Sequence, residues 1–393
     1  MPATLLATKL FTPLVGKNLV LRPHLFEKLD GGLQPSHHLI LISAPAGFGK
    51  TTLVSKWVSS VHLPTTWLSL DRRDDDPGSF FAYLIAALQK VNANIGREIE
   101  SVLQTVQLPP SPIIAINLIN DISAGDVPFI LVLDDFQVIQ DQAILEVLET
   151  LLANPPEQLH LVLITREDPL LPLSRLRANN QMTEIRAEDL RFSEREVDLF
   201  LNGIMGLALS EGDITALENR TEGWAAGLQL AAVAMHSRSD VSGFISHLSG
   251  SHRYILSYLT EEVLSRQTED IQIFLIQTSI LDKLCGALCD AVTGRTNSRT
   301  LLEICLHTNL FLIPLDDEGR WYRYHHLFQD LLRNQQSRIP KQDILALHRR
   351  ASQWHEEAGM ISESMEHALC AADYPHAVQL LEDHAPELIM PHC

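Results

Sequence analysis

Leu39-Ile40-Leu41-Ile42-Ser43-Ala44-Pro45-Ala46-Gly47-Phe48-Gly49-Lys50-Thr51-Thr52 decides how this chain is read. An apolar, β-prone run feeds a loop of small residues that ends in Gly-Lys-Thr. A helical apolar pattern follows, with Leu53, Val54, Trp57 and Val58. Strand, loop and helix in that order make a phosphate-binding loop, or P-loop. Gly47 and Gly49 let the backbone curl so that its N–H groups face a β-phosphate. Lys50 reaches the β- and γ-phosphates, Thr51 ligates Mg²⁺, and the helix that starts here adds its positive dipole end. The expected nucleotide-binding set in the loop is Ala46, Gly47, Phe48, Gly49, Lys50, Thr51 and Thr52. Ala44 stands where the motif ordinarily has Gly, so the loop is a variant of it.

Working outward, short apolar runs alternate with helical patterns from Leu39 to Ala187. The expected strands are Leu39–Ser43, Thr65–Leu70, Phe129–Leu133, His160–Thr165 and Thr183–Arg186. Such alternation argues for an α/β fold, a parallel sheet covered on both faces. Phe129-Ile130-Leu131-Val132-Leu133-Asp134-Asp135 is a buried-strand run ending in two carboxylates, as in a Walker B element. Asp134 would hold Mg²⁺, because hard divalent ions take oxygen ligands. Asp135 is the candidate to orient or deprotonate an attacking water; a Glu, which is longer, is the commoner residue in that role. Arg166 closes the apolar run His160–Thr165, and ligands of open α/β sheets sit at such strand tips, so Arg166 is a candidate γ-phosphate sensor. Asp71, Asp74, Asp75 and Asp76 read as loop and helix-start acids without an assigned role.

The whole chain is 393 residues with 30 basic and 49 acidic side chains, a net charge of −19. That length suggests two to four domains. That charge argues against a surface dominated by nucleic-acid binding. Five scattered cysteines suggest reduced thiols and a cytoplasmic setting. No stretch reads as a signal peptide or a membrane span. Cys285 and Cys289 lie four apart in an apolar pattern and read as core thiols; His37-His38 and His392-Cys393 show no metal-ligand spacing.

After Ala187 the strand signals fade. Ser193-Glu194-Arg195-Glu196 is a capping box, Ser210 with Asp213 repeats it, and Thr221–Met235 reads as one small-residue helix. Residues 238–252 look like a linker. Leu310–Leu315, an acidic turn and Arg320–His325 read as a β-hairpin behind helices, a winged-helix-type unit. Residues 253–340 hold 11 acidic and 9 basic side chains, which favours packing over DNA binding. Leu347, Ala351, Trp354 and Ala358 make a helical stripe. Met365, Ala368, Leu369 and Ala372 make a second, and Tyr374, Ala377, Val378 and Leu381 a third, the expected start of a TPR-like α-solenoid. The expected domains are 1–187 (nucleotide binding), 188–237 (helical lid), 253–340 (winged-helix-like) and 341–393 (solenoid start).

Taken together these residues resemble the signal-transduction ATPases with numerous domains, the STAND class, in the MalT-like branch of large LuxR-type transcriptional regulators. The motifs that carry the likeness are the P-loop, Trp67-Leu68-Ser69-Leu70-Asp71, Leu131-Val132-Leu133-Asp134-Asp135, Ile164-Thr165-Arg166, Glu222-Gly223-Trp224-Ala225-Ala226-Gly227-Leu228-Gln229-Leu230 and Tyr324-His325-His326-Leu327-Phe328. The resemblance implies that Val20, Leu21 and Arg22 line an adenine pocket. It implies that Gly227 and Gln229 stand where related switches pack a Gly-x-Pro element on the adenine, with Gln229 replacing the Pro. It also places His325 where relatives contact the β-phosphate of ADP. The implied mechanism is an ATP/ADP switch: ADP holds the domains shut, while ATP and an inducer favour an open, self-associating form that slow hydrolysis resets. DNA binding would belong to a C-terminal domain beyond these residues. Two other readings stay open, a P-loop ATPase that remodels a protein partner and a non-hydrolysing interaction module.

Overall fold

A computed structural model describes residues 5–16, 19–103, 108–236, 240–250 and 252–389. The chain falls into two compact units. One is Met1–Gly206 with Trp224–Ala226; the other is Leu207–Gly223 with Gly227–Cys393.

The first unit is built on five strands: β1 (Leu39–Ser43), β2 (Thr65–Ser69), β3 (Phe129–Asp134), β4 (Leu159–Thr165) and β5 (Met182–Ile185). They pair in parallel in the order β2-β3-β4-β1-β5. Every residue of β1, β3 and β4 is buried, as the unbroken apolar runs require of strands covered on both faces. The register decides where the chemistry goes. Ser43 pairs with Thr165 and Ser69 with Asp134, so β1 to β4 end together at one edge. The residues that follow them, the glycine loop, Asp71, Asp135 and Arg166, are therefore delivered to the same rim. The helix Pro23–Gly31 opens on Pro23, as its preformed φ favours. It is tied to the sheet layer where Trp57 Nε1 donates to Asp30 Oδ1 at 2.8 Å.

The acids after β2 act locally. Asp71 and Asp74 close a capping box, and Asp74, fully buried, pairs with Lys9 at 2.6 Å. Asp75 accepts from the backbone N–H groups of Gln140 and Asp141, and Asp76 caps the helix Pro77–Gln89. Further on, the capping box of Ser193 with Glu196 opens the helix Glu194–Asp198, as its spacing dictates.

In the second unit the helix expected behind the Ser210 cap is Glu211–Thr221, and the helix expected over Thr221–Met235 starts four residues later, as Ala225–Met235. Glu222 (φ 48°) and Gly223 (φ 67°) are both left-handed and break the helix between them. The expected linker at 238–252 contains a short helix, Val241–Ser246, capped by Asp240. The helices Glu269–Thr278, Gly286–Thr293 and Ser298–His307 are followed by the antiparallel hairpin of β6 (Leu312–Pro314) and β7 (Tyr322–Tyr324). Leu284 bridges to Tyr322 as a third strand position, which completes the winged-helix arrangement. Cys289 and Cys305 are buried in it, and Cys285 is half-buried.

The last three helices are Lys341–Glu357, Ile361–Cys370 and Tyr374–Ile389. Leu347 and Ala351 are buried as their spacing predicts. The third stripe is rotated from its expected place: Ala377 and Leu380 share a small core with Ala368 and Met365. Tyr374, Val378, Leu381 and also Leu369 stay about half exposed or more. His392-Cys393 lie outside the described residues.

Candidate phosphate-binding site

The loop after β1 is held open by its glycines. Gly47 and Gly49 both have φ 79°, a left-handed conformation that costs a glycine nothing. A Cβ on Gly49 would meet nothing within 4 Å, so the space above the loop is open to a ligand approaching the backbone. The helix Lys50–Val58 starts directly after Gly49, without a side-chain cap on its first N–H groups.

Inside the curl lies Lys50, 8% exposed, whose Nζ donates to the carbonyls of Ala44 (2.7 Å) and Pro45 (2.9 Å). Burial, followed by the nearby Arg166 cation, lowers its pKa to about 8, against the opposing pull of Asp135 and Asp134. Thr51 Oγ1 donates to Asp134 Oδ1 at 3.0 Å. Burial, then the Asp135 charge, raises Asp134 to about 6, although hydrogen bonds from Thr51 and the Asp135 amide oppose the shift. A hydroxyl and a carboxylate face one another here beside a buried ammonium. That donor set fits the phosphates of a nucleotide and the oxygen coordination that Mg²⁺ takes.

Asp135 turns the chain in the left-handed region (φ 59°) just past β3. Its carboxylate lies 3.7 Å from Arg166 Nε, so the two strand tips meet. A residue the sequence reading passed over joins them: Gln137 donates to Asp135 Oδ1 at 2.8 Å and accepts from the Arg166 backbone N–H at 3.0 Å. No local pattern flags Gln137, because its partners come from two strands that adjoin only in the sheet.

The loop is braced from outside. Trp224, fully buried, donates through Nε1 to Ala46 O at 3.0 Å, and the Ala226 N–H donates to Gly47 O at 3.0 Å. At the C-terminal tip of β1, Ser43 donates to Asp168 at 3.0 Å, and Asp168 in turn pairs with Arg186. Ala46 and Phe48 are buried, and Thr52 is exposed.

Of the segment Val20-Leu21-Arg22, Val20 is half-buried and Leu21 is exposed. Leu21 lines a cavity of about 520 Å³ with Leu14, Val15, Leu19 and Ser55. Arg22 is buried and fully engaged: it pairs with Glu196 at 2.8 Å and donates to the carbonyls of Asp189, Leu190 and Arg191. It ties residues 189–196 to the N-terminal segment.

In the second unit Gly227 is buried and Gln229 exposed on the helix Ala225–Met235. His325 is 2% exposed and both ring nitrogens are used. Nδ1 accepts from the Leu327 N–H at 3.3 Å, capping the helix His326–Gln335, and Nε2 lies 2.9 Å from Thr221 O. Beside it, Glu222 receives both arms of Arg323 at 2.8 and 2.9 Å and the His326 N–H at 3.0 Å.

A five-stranded parallel sheet with a glycine loop, a buried lysine and a threonine–aspartate pair at one edge defines a P-loop ATPase fold, here in one chain with a winged helix. Residues 260–343 match the family model described as the MalT winged helix domain. The serine/threonine-protein kinase PknK of Mycobacterium tuberculosis is 34% identical over 379 residues, covering 96% of this chain and 34% of PknK. The HTH-type transcriptional regulator MalT of Yersinia enterocolitica is 32% identical over 383 residues, covering 97% of this chain and 42% of that protein. The chain thus spans between 34% and 42% of the length of these relatives. Among solved structures, the Walker-type ATPase PABY2304 of Pyrococcus abyssi superposes with a TM-score of 0.56 at 16% identity, over 81% of this chain and 97% of that one, a likeness of fold. The chain therefore has a P-loop ATPase fold joined to a MalT-type winged helix and is similar to MalT and PknK over nearly its whole length. No described helix is long and apolar enough to cross a membrane.

Proposed function

We propose that the chain is the ATP/ADP-dependent switch module of a longer MalT-like regulator. The observation that carries this reading is the Lys50 ammonium, buried and hydrogen-bonded inside a loop of left-handed glycines, next to the contact of Thr51 with Asp134. In the proposed site the loop N–H groups and Lys50 bind the β- and γ-phosphates, Thr51 and Asp134 hold Mg²⁺, Asp135 orients the attacking water and Arg166 senses the γ-phosphate. Mg²⁺ supplies charge neutralisation on the phosphates. The cavity lined by Leu14, Val15, Leu19 and Leu21 is the proposed adenine pocket, a role that rests on the family resemblance. Gly227, Gln229 and His325 belong to the second unit, and their part in nucleotide contact rests on the family resemblance. Binding shifts the chain between states only if ATP and ADP favour different ones. The open, self-associating form, the slow hydrolytic reset and the inducer are parts of this proposal, and DNA contact is assigned to none of these residues.

Calorimetric titration with Mg·ADP tests the reading. The full chain is expected to bind one nucleotide, and Lys50→Ala to bind at least about 100-fold more weakly, because a buried charge–phosphate contact is lost. Equal affinity in the two proteins would remove Lys50 from the site.

A further inference from the structure

The tips of β3 and β4 carry the two groups that the proposed site needs beyond phosphate binding, Asp135 and Arg166. They are separated by 31 positions in the chain and adjoin only through the sheet. The side chain of Gln137 spans them. Phe136, 1% exposed, anchors the short 3₁₀ turn Phe136–Val138 in the core, so the Gln137 backbone is fixed relative to β3. From there the amide nitrogen donates to Asp135 Oδ1 (2.8 Å) and the amide oxygen accepts from the Arg166 N–H (3.0 Å).

Only one orientation of the amide satisfies both partners. The carboxylate can only accept and the backbone N–H can only donate, so the nitrogen must face Asp135 and the oxygen Arg166. A glutamate would set one carboxylate against another, and an alanine would cut both bonds. Arg166 Nε lies 3.7 Å from the same Asp135 oxygen. The Asp135 carboxylate therefore meets both the amide and the guanidinium, and Gln137 couples it to the Arg166 backbone.

We infer that Gln137 is a positioning residue for hydrolysis, which fixes the Asp135 carboxylate and makes its placement depend on the position of Arg166. The inference rests on the proposed function. When Arg166 engages a γ-phosphate, Gln137 holds Asp135 where a water in line with that phosphate gives up its proton. When Arg166 is released, the carboxylate loses its alignment. The residue touches no phosphate and acts only through Asp135.

The test uses the full chain and its Gln137→Ala, Gln137→His and Asp135→Asn variants, with ADP affinity, single-turnover ATP hydrolysis and thermal unfolding measured for each. Gln137→Ala is expected to keep ADP affinity within about twofold and the unfolding midpoint unchanged, while hydrolysis slows by about tenfold or more, as misplacement of a catalytic group does. Gln137→His is expected to recover part of the rate, since a neutral imidazole donates from one nitrogen and accepts at the other. Combining Gln137→Ala with Asp135→Asn is expected to cost little more than Asp135→Asn alone. A rate unchanged in Gln137→Ala, or a rate that falls together with ADP affinity and thermal stability, overturns the inference. So does a wild-type chain that binds ADP without turning over ATP, which leaves the nucleotide site standing. A wild-type chain that binds no ADP overturns the site itself.

Discussion

Two buried carboxylates, Asp134 and Glu222, meet the same difficulty and end at opposite extremes. Each is taken out of water, which by itself raises a carboxyl pKa. For Glu222 the bidentate Arg323, the nearby His325 and the His326 N–H outweigh that burial and pull it down to about 2. For Asp134 burial and the Asp135 charge prevail, and it rises to about 6. Among the described residues no cation pairs with Asp134, while Lys50 spends its donors on loop carbonyls and is itself lowered to about 8. The compensated pair holds structure together; the under-compensated group is ready for a cation. Perturbation of that second kind is what functional sites accumulate.

Removing the partner of one carboxylate and the charge of the other breaks the comparison most sharply. Arg323→Ala leaves Glu222 buried without its partner, which is expected to destabilise the second unit by about 3–5 kcal/mol. Asp134→Asn keeps the shape and removes a charge whose pKa is displaced by about two units. It is expected to leave stability unchanged or to raise it by about 1–3 kcal/mol at pH 7. Urea unfolding of the two variants reads both signs. Equal destabilisation would show that Asp134 is a structural acid like Glu222.

The next effect is a pH dependence inside the second unit. His348, His355 and His367 cluster on the last helices: His367 stacks on His355 with centroids 5.4 Å apart, and its Nδ1 lies 2.9 Å from that of His348. Burial, then the fields of His348 and His355, lowers His367 to about 4, and Asp282 opposes this while Arg333 adds to it. The unfolded chain takes up the proton near 6.5 and the folded chain does so only near 4. Stability therefore falls as pH drops through that interval, by about 3 kcal/mol in all. Glu222 adds a second loss below it, because its stabilisation, complete above about 4.5, disappears as pH falls toward 2. Midpoints of unfolding between pH 7 and 4 check this; in His367→Phe the slope in that window is expected to flatten.

Asp134 yields a smaller effect that concerns binding. Mg²⁺ needs the carboxylate ionised, and the free site holds it at about 6. Mg·ADP affinity is expected to be level above that pH and to weaken toward tenfold per unit below it, with proton release seen as a dependence of the calorimetric heat on buffer. An affinity level down to pH 4.5 would mean that Asp134 does not meet the metal.

What could be read from residues alone follows from how local each signal is. β1, β3 and β4 stand at or within one residue of their expected ends, because an unbroken apolar run bounded by polar residues has few other solutions. The convergence of the P-loop, Asp135 and Arg166 at one rim follows from a parallel sheet whose strands end in register. A helix boundary at Thr221 was legible, but not the left-handed turn at Glu222 and Gly223 that forms it. A left-handed glutamate inside a helical pattern is held by Arg323, 101 positions away, and no local propensity announces it. Gln137 escaped for the same reason, and so did the full engagement of Arg22 by residues 189–196. Tertiary partners decided these positions, and a single sequence does not display partners.

The smallest effect concerns what shapes the loop before any ligand arrives. Trp224 is fully buried and its indole N–H donates to Ala46 O at 3.0 Å, one residue before the first left-handed glycine. Trp224→Phe keeps most of the buried ring and removes the donor, so the Ala46 carbonyl is left in a dry environment without that partner. The expected cost is about 1 kcal/mol. If the bond chiefly holds the loop in its binding shape, the loss appears as ADP affinity reduced about fivefold with little change in unfolding midpoint. If it chiefly supports the core, the midpoint falls and affinity is kept. The first outcome would extend the phosphate site to a residue far along the chain, and the second would place Trp224 with Glu222 among the groups that only hold structure.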